Sequence, residues 1–228
     1  DVFIKRGFIN ERSTFSGASG GAIISAALAT GISPDRIIST TLEIFAICRK
    51  MGTVSKIGKP MKEKFDEMFK PGDESLCTGR IALAVSRVKP RPFLSPVMIR
   101  NFRDKDHLIN TIMASCYIPG YISPHATFRM DQDRYIDGAL VNILPPIRSS
   151  VNVLCFKRGW VSFVIPKTCQ VSSLVSPDMI PNFPYKLQQM IKFTFLPYSD
   201  EEVFHMYHLG QQAAERWLDR RAEAEKQH

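Results

Sequence analysis

The chain of 228 residues reads as an α/β fold with a mostly parallel central sheet, and three observations carry that reading. Short runs of period-2 apolar alternation take turns with segments of helical spacing, the pattern of strands joined by helical crossovers. A glycine-rich turn, Gly17-Ala18-Ser19-Gly20-Gly21, stands between a short extended run and a small-residue helix. A 44% apolar composition over this length supplies one sizeable core without demanding a second, so residues 1–228 read as one domain.

The elements follow in order. Thr14-Phe15-Ser16 enters the glycine turn as a strand, and Ala22-Ile23-Ile24-Ser25-Ala26-Ala27-Leu28 leaves it as a helix. Ser33-Pro34-Asp35 places a serine N-cap before a proline at the first helical position; Ile37, Ile38, Thr41, Leu42, Phe45 and Ala46 then predict a helix over 34–50. A shorter helix is expected over 59–69, stopped by Pro71-Gly72. Residues 80–88 alternate like a strand, and the proline-rich stretch from Pro90 to Pro96 leads into another extended run at 97–99. Residues 104–115 read as a helix with an acidic start, closed by Pro119-Gly120. A short strand at Tyr135-Ile136 runs into Asp137-Gly138, and the β-branched run 151–156 predicts a buried strand. Between 160 and 197 prolines interrupt the pattern, leaving one short helix near 185–193. A C-terminal amphipathic element occupies 199–228; its helix, over 201–227, carries a stripe of Val203, Met206, Tyr207, Ala213, Ala214, Trp217 and Leu218.

Composition narrows the function classes. No apolar run approaches the ~20 residues needed to cross a bilayer. The first residue is Asp1, with no charged-then-apolar leader after it. Five widely spaced cysteines without a C-x-x-C argue against a disulfide framework or a zinc site and favour a reducing, intracellular setting. The net charge of +8 is diffuse; its densest stretch holds Arg49, Lys50, Lys56, Lys59, Lys62 and Lys64 with Glu63 alone opposing. Such a surface suits anionic lipid head groups or plain solvent. No aromatic residues interleave with these charges, which excludes a nucleic-acid reader.

The glycine turn is a G-x-S-x-G elbow, and it makes Ser19 the candidate nucleophile. A strand turning sharply into a helix strains its apex residue, and Gly17 and Gly21, two positions either side, keep Cβ atoms out of the crowded turn. The serine hydroxyl then stands above a helix N-terminus, where the Gly20 N–H and the helix dipole meet a developing oxyanion. No Lys-Ser or Lys-Thr closes the turn and no G-x-G-x-x-G is present, so phosphate-loop readings fall away.

Three stretches in order, Gly17-Ala18-Ser19-Gly20-Gly21, Ala114-Ser115-Cys116-Tyr117-Ile118-Pro119-Gly120 and Tyr135-Ile136-Asp137-Gly138-Ala139-Leu140-Val141-Asn142-Ile143-Leu144-Pro145, resemble the patatin-like phospholipase family. The first is similar to its serine elbow and the third to its Asp-Gly-Gly/Ala motif. The second is similar to a helix end that borders its active site. The resemblance spans about residues 1–145 and implies a three-layer α/β/α sandwich that hydrolyses acyl esters of lipids. The substrate would be met at a membrane or lipid-droplet surface.

Carried onto this chain, the resemblance implies a Ser19–Asp137 dyad with no histidine, Gly138 keeping the carboxylate's turn tight, and no metal or cofactor. Asp137 must then be unusual, since a free carboxylate with a pKa of ~4 is a weak base at neutral pH unless desolvation raises it. An acyl-Ser19 intermediate would form and be released by water. The resemblance departs at the front, where the family's glycine-rich oxyanion loop has no match. Arg6-Gly7 lacks the consecutive glycines and lies too close to Ser19. On this reading the domain is N-terminally incomplete, its elbow strand has a free edge, and one missing oxyanion donor lowers the rate by ~10²–10³.

Two other readings compete. An ordinary hydrolase triad would enlist His205 or His208, which follow Asp137 but sit near the apolar stripe of the last helix, where packing or surface roles are expected; His107 and His125 are weaker candidates. Asp131 and Asp133 are alternative acids without a following glycine. The second function class is a non-catalytic lipid- or membrane-binding module that has lost its oxyanion loop.

Overall fold

The computed structural model describes residues 1–89, 93–145, 151–163, 165–166 and 169–226. Its elements in chain order are α1 (Val2–Lys5), β1 (Phe15–Ala18), α2 (Gly20–Ala29), α3 (Pro34–Met51), α4 (Gly58–Met68), α5 (Asp73–Cys77), β2 (Ile81–Val88), β3 (Leu94–Ile99), α6 (Lys105–Ser115), β4 (Phe128–Met130), β5 (Asp133–Asp137), β6 (Asn152–Val153), β7 (Leu174–Val175), α7 (Leu187–Phe195) and α8 (Asp200–Lys226). They form two compact units, one of Ser13–Pro145 and one of Asp1–Arg12 with Pro146–His228.

The first unit is built on a five-stranded sheet with flanking helices. β1 pairs β2 in parallel from Phe15↔Ile81 to Ala18↔Ala84. β5 pairs β2 antiparallel from Val85↔Asp137 to Val88↔Arg134, while β3 covers β2 antiparallel from Leu83↔Ile99 to Val88↔Leu94. Because β3 takes one edge of β2, β1 and β5 share the other edge, each over half of its length. β4 adds antiparallel to β5. The α/β class stands, but the mostly parallel sheet does not: among the described residues one pairing of this sheet is parallel and three are antiparallel. Helices α2 to α5 carry the chain from β1 to its parallel neighbour, whereas β2–β3 and β4–β5 are joined by connections too short for a crossover, and short connections reverse the chain.

Local chemistry explains the helix boundaries. Ser33 Oγ accepts the Arg36 N–H at 3.3 Å with Pro34 in the first turn of α3, and the Asp104 carboxylate accepts the His107 N–H at 2.7 Å at the start of α6. β3 starts earlier than its apolar run and includes Pro96, tolerated because β3 pairs only β2 among the described residues; Pro90 lies outside the described residues. In β2, Ile81 through Ser86 are all buried. Its alternation is therefore large against small rather than inside against outside. Ile81 and Leu83 enter the main core with Met61 and Phe65 of α4, Phe69, Phe102, and Leu108, Ile109 and Ile112 of α6. Each such side chain contributes ~1.5–3 kcal/mol on burial.

The second unit gathers around α8. Trp217 packs edge-on against Phe3 and Phe8 at 5.7 and 5.5 Å, and its indole N–H donates to the Ser172 carbonyl at 2.8 Å. Met179, Ile180, Phe183, Met190 and Leu209 complete this core. The expected strand over 151–156 is corrected here. β6 is two residues long, paired in parallel with β7, and Val153 is 64% exposed; β-branching alone does not bury a segment that finds so short a partner. Helix α8 ends at Lys226, and Gln227 and His228 lie outside the described residues.

Candidate active site

Ser19 separates β1 from α2 with φ 54° and ψ −126°, a left-handed setting that costs a non-glycine residue of order 1–3 kcal/mol. An N-cap serine ordinarily spends its hydroxyl on the helix's first amides. Ser19 occupies the N-cap of α2 and makes no such bond, so the strained backbone leaves the hydroxyl for other partners. The Gly20 and Gly21 amides begin α2, where no intrahelical acceptor exists for them, and both residues are exposed.

Gly17 is required by space: a Cβ there would lie 2.0 Å from the Gly21 carbonyl oxygen. The same reasoning fails for Gly21 and Gly20, where an added Cβ meets no atom within 4 Å. The crowding in this turn falls on one side only, where the strand passes the first turn of the helix.

Asp137 ends β5 and is 3% exposed. Its N–H donates to the Tyr117 carbonyl at 2.8 Å, its carbonyl accepts from the buried Ser86 hydroxyl at 2.8 Å, and its carboxylate accepts the Ala139 N–H at 2.7 Å. Burial pushes the Asp137 pKa above the usual carboxylate range, opposed by the nearby Ser19 side chain and by the hydrogen bond from the Ala139 N–H. Gly138 follows because the chain there lies against β2, where a Cβ would come within 2.0 Å of the Ala84 carbonyl oxygen.

The register explains why residues 118 positions apart meet. β1 pairs β2 up to Ala84 and β5 pairs it from Val88 down to Val85, the two strands running toward each other along one edge. Ser19 and Asp137 stand where they converge.

Two groups near this point carried no sequence signal beyond their place in the second motif. The Ser115 hydroxyl accepts the Ser19 N–H at 3.0 Å and donates to the Ala84 carbonyl at 2.7 Å. The Cys116 thiol is buried; burial pushes its pKa up, and the Asp137 charge adds to that.

The other candidates have partners elsewhere. Asp133 pairs with Arg87 at 3.1 Å and Asp131 with Arg103. His205 bonds the Tyr185 hydroxyl at 2.8 Å and His208 the Gln211 side chain at 2.9 Å. His125 lies with Ser123, 3.2 Å away. His107 Nδ1 accepts the Arg103 N–H at 3.3 Å. The basic stretch 49–64 is more compensated than its sequence suggests, since folding brings Glu43 and Glu67 to Lys64 at 2.8 and 2.7 Å. Among the described residues no cluster of three or more His, Cys, Asp or Glu is arranged to hold a metal ion, and no helix is long and apolar enough to cross a membrane.

The arrangement brings Ser19, at the N-terminus of α2, and the buried carboxylate-bearing Asp137 to adjoining positions along one edge of β2. The family model described as patatin-like phospholipase matches residues 7–147. Omega-hydroxyceramide transacylase of Mus musculus is 27% identical over 139 residues, covering 58% of this chain and 22% of that protein. The 1-acylglycerol-3-phosphate O-acyltransferase Pnpla3 of Mus musculus is 24% identical over 153 residues, 64% of this chain and 35% of that protein. Its Homo sapiens namesake is 25% identical over 145 residues, with shares of 60% and 29%. The chain thus matches at most about a third of these relatives' length.

Proposed function

The chain belongs to the patatin-like phospholipase family, and from that membership we propose that it is a serine-dependent lipid acyl hydrolase working through Ser19 and Asp137. The observation that carries this reading is the convergence of β1 and β5 on one edge of β2, whose meeting ends bear Ser19 and a buried Asp137 carboxylate, burial raising that carboxylate's basicity. Asp137 takes the hydroxyl proton as Ser19 Oγ attacks an ester carbonyl; the tetrahedral oxyanion is met by the Gly20 N–H and the positive end of α2. Collapse expels the alcohol, which receives the proton from Asp137 and leaves an acyl-Ser19 ester. Water activated by Asp137 then releases the fatty acid. Substrate is drawn from a lipid surface, since its acyl chains are insoluble and the chain carries +8 net charge.

The acyl-enzyme has a second outlet, transfer to a lipid hydroxyl in place of water. The names of the transacylase and acyltransferase relatives favour it. Both outlets share the same first half-reaction.

A fluorophosphonate ester probe tests the shared step. Intact mass should show one adduct on the parent chain, none on Ser19→Ala and strongly slowed labelling on Asp137→Asn. Vesicles of a defined phospholipid, with and without added monoacylglycerol, then separate fatty-acid release from transfer. Vesicle binding without any adduct or turnover would support the non-catalytic binding module instead.

A further inference from the structure

We propose that Ser115 is a positioning residue for the nucleophile, holding Ser19 in the apex conformation from which its hydroxyl reaches Asp137. The proposal rests on the reading of Ser19 as nucleophile. Ser115 is the last residue of α6 and is completely buried. Its single proton goes to the Ala84 carbonyl at 2.7 Å, which leaves its lone pairs for the Ser19 N–H at 3.0 Å. Neither partner can reverse its role, because a carbonyl cannot donate and an amide N–H cannot accept. The hydroxyl orientation is therefore fixed.

Ser19 needs such a constraint. A non-glycine residue at φ 54° persists only where its surroundings over-determine it, and Ser115 contacts the strained amide itself. The other end of the link matters equally. Ala84 is the β2 residue opposite the last position of β1, and its carbonyl is the one against which Gly138 sits. Ser115 thereby ties the elbow to the backbone group that also locates the turn after Asp137. Asp137 has its own supports in Ser86 and the Tyr117 carbonyl, so losing Ser115 disturbs the nucleophile and leaves the base in place.

Thr111, one helical turn earlier on α6, is an internal comparator. It too is completely buried, but its hydroxyl serves the His107 carbonyl and Met130 Sδ, away from the elbow.

The experiment measures fluorophosphonate labelling rate and short-chain ester turnover on the full chain, its Ser115→Ala and Thr111→Val variants, together with hydrogen exchange of the Ser19 amide. Ser115→Ala should lower labelling rate and kcat about 10²-fold, the scale of a small misplacement of reacting groups, with KM and the acidic limb of the pH profile unmoved. Its Ser19 amide should lose protection, and Thr111→Val should react like the parent. Ser115→Ala reacting at the parent's rate, or Thr111→Val slowed by the same factor, overturns the proposal. Rapid exchange of the Ser19 amide in the parent overturns it whether or not the variants fold. A parent neither labelled nor active overturns the nucleophile reading and this role with it; a protected Ser19 amide would then locate the failure in the chemistry and not in the hydrogen bond.

Discussion

Gly138 lies against the Ala84 carbonyl so closely that a single added carbon would sit 2.0 Å from the oxygen. Both groups are backbone on packed elements, so neither can yield cheaply.

Gly138→Ala and Gly17→Ala should each destabilise the protein by about 1–3 kcal/mol, the range for overpacking. Gly20→Ala and Gly21→Ala should instead leave stability unchanged or raise it by up to ~1 kcal/mol, since their Cβ atoms meet nothing and alanine restricts the unfolded chain. Urea midpoints for the four variants check this; a uniform loss at all four would refute the one-sided crowding.

Asp137→Asn should separate activity from stability. Without a base, turnover should fall ~10²–10⁴-fold. The native pKa of Asp137 is raised by burial, so the folded state holds this proton more tightly than the unfolded one, and stability falls as pH rises from the unfolded pKa through the native one. The amide, which never ionises, should be the more stable protein at pH 7, with its advantage disappearing below the unfolded pKa. Thermal melts from pH 3 to 8 measure the difference, and an unchanged gap across that window contradicts the buried-charge account.

The pH dependence of the parent follows from the same group. The acidic limb of kcat/KM should lie above the ordinary carboxylate value of about 4, because the reacting form is the ionised Asp137. A limb at or below that value would mean that burial does not set the basicity.

Thiol reactivity should divide by burial. Cys48, Cys77 and Cys116 are buried with their pKa values pushed up, that of Cys77 to about 12. At pH 8 all three should resist iodoacetamide in the native protein and react after unfolding, while the partly exposed Cys169 reacts from the start. Peptide mass mapping over time reads the order.

Trp217→Ala should remove the centre of the second unit. The ring is 4% exposed, packs on Phe3 and Phe8 and donates to Ser172, so the loss should be ~3–5 kcal/mol, visible as a lower urea midpoint.

Where a boundary is written in one or two side chains, the sequence suffices to find it. Ser33 with Pro34, and Asp104 ahead of α6, announce their helices locally. Strand direction is different, because it depends on connections. The three-residue β4 is too short to show a period, and its turn uses Asp131 at φ 54° where an Asn-Gly pair would have advertised a hairpin. At the site, Ser19 and Asp137 stand beside glycines and attract attention. Ser86, the Tyr117 carbonyl and Cys116 join them only through the fold, by contacts that no spacing encodes. The glycines themselves were visible, but which of them a carbonyl crowds was not.

The shared edge of β2 imposes an unequal tolerance to length change. Loops can gain residues at small entropic cost. An insertion between Ala84 and Val85 would instead part the two strand ends by ~3.3 Å, as much as the whole 2.6–3.2 Å over which a proton is handed between heavy atoms. Of all the places where this chain could grow by one residue, that junction is among the least forgiving.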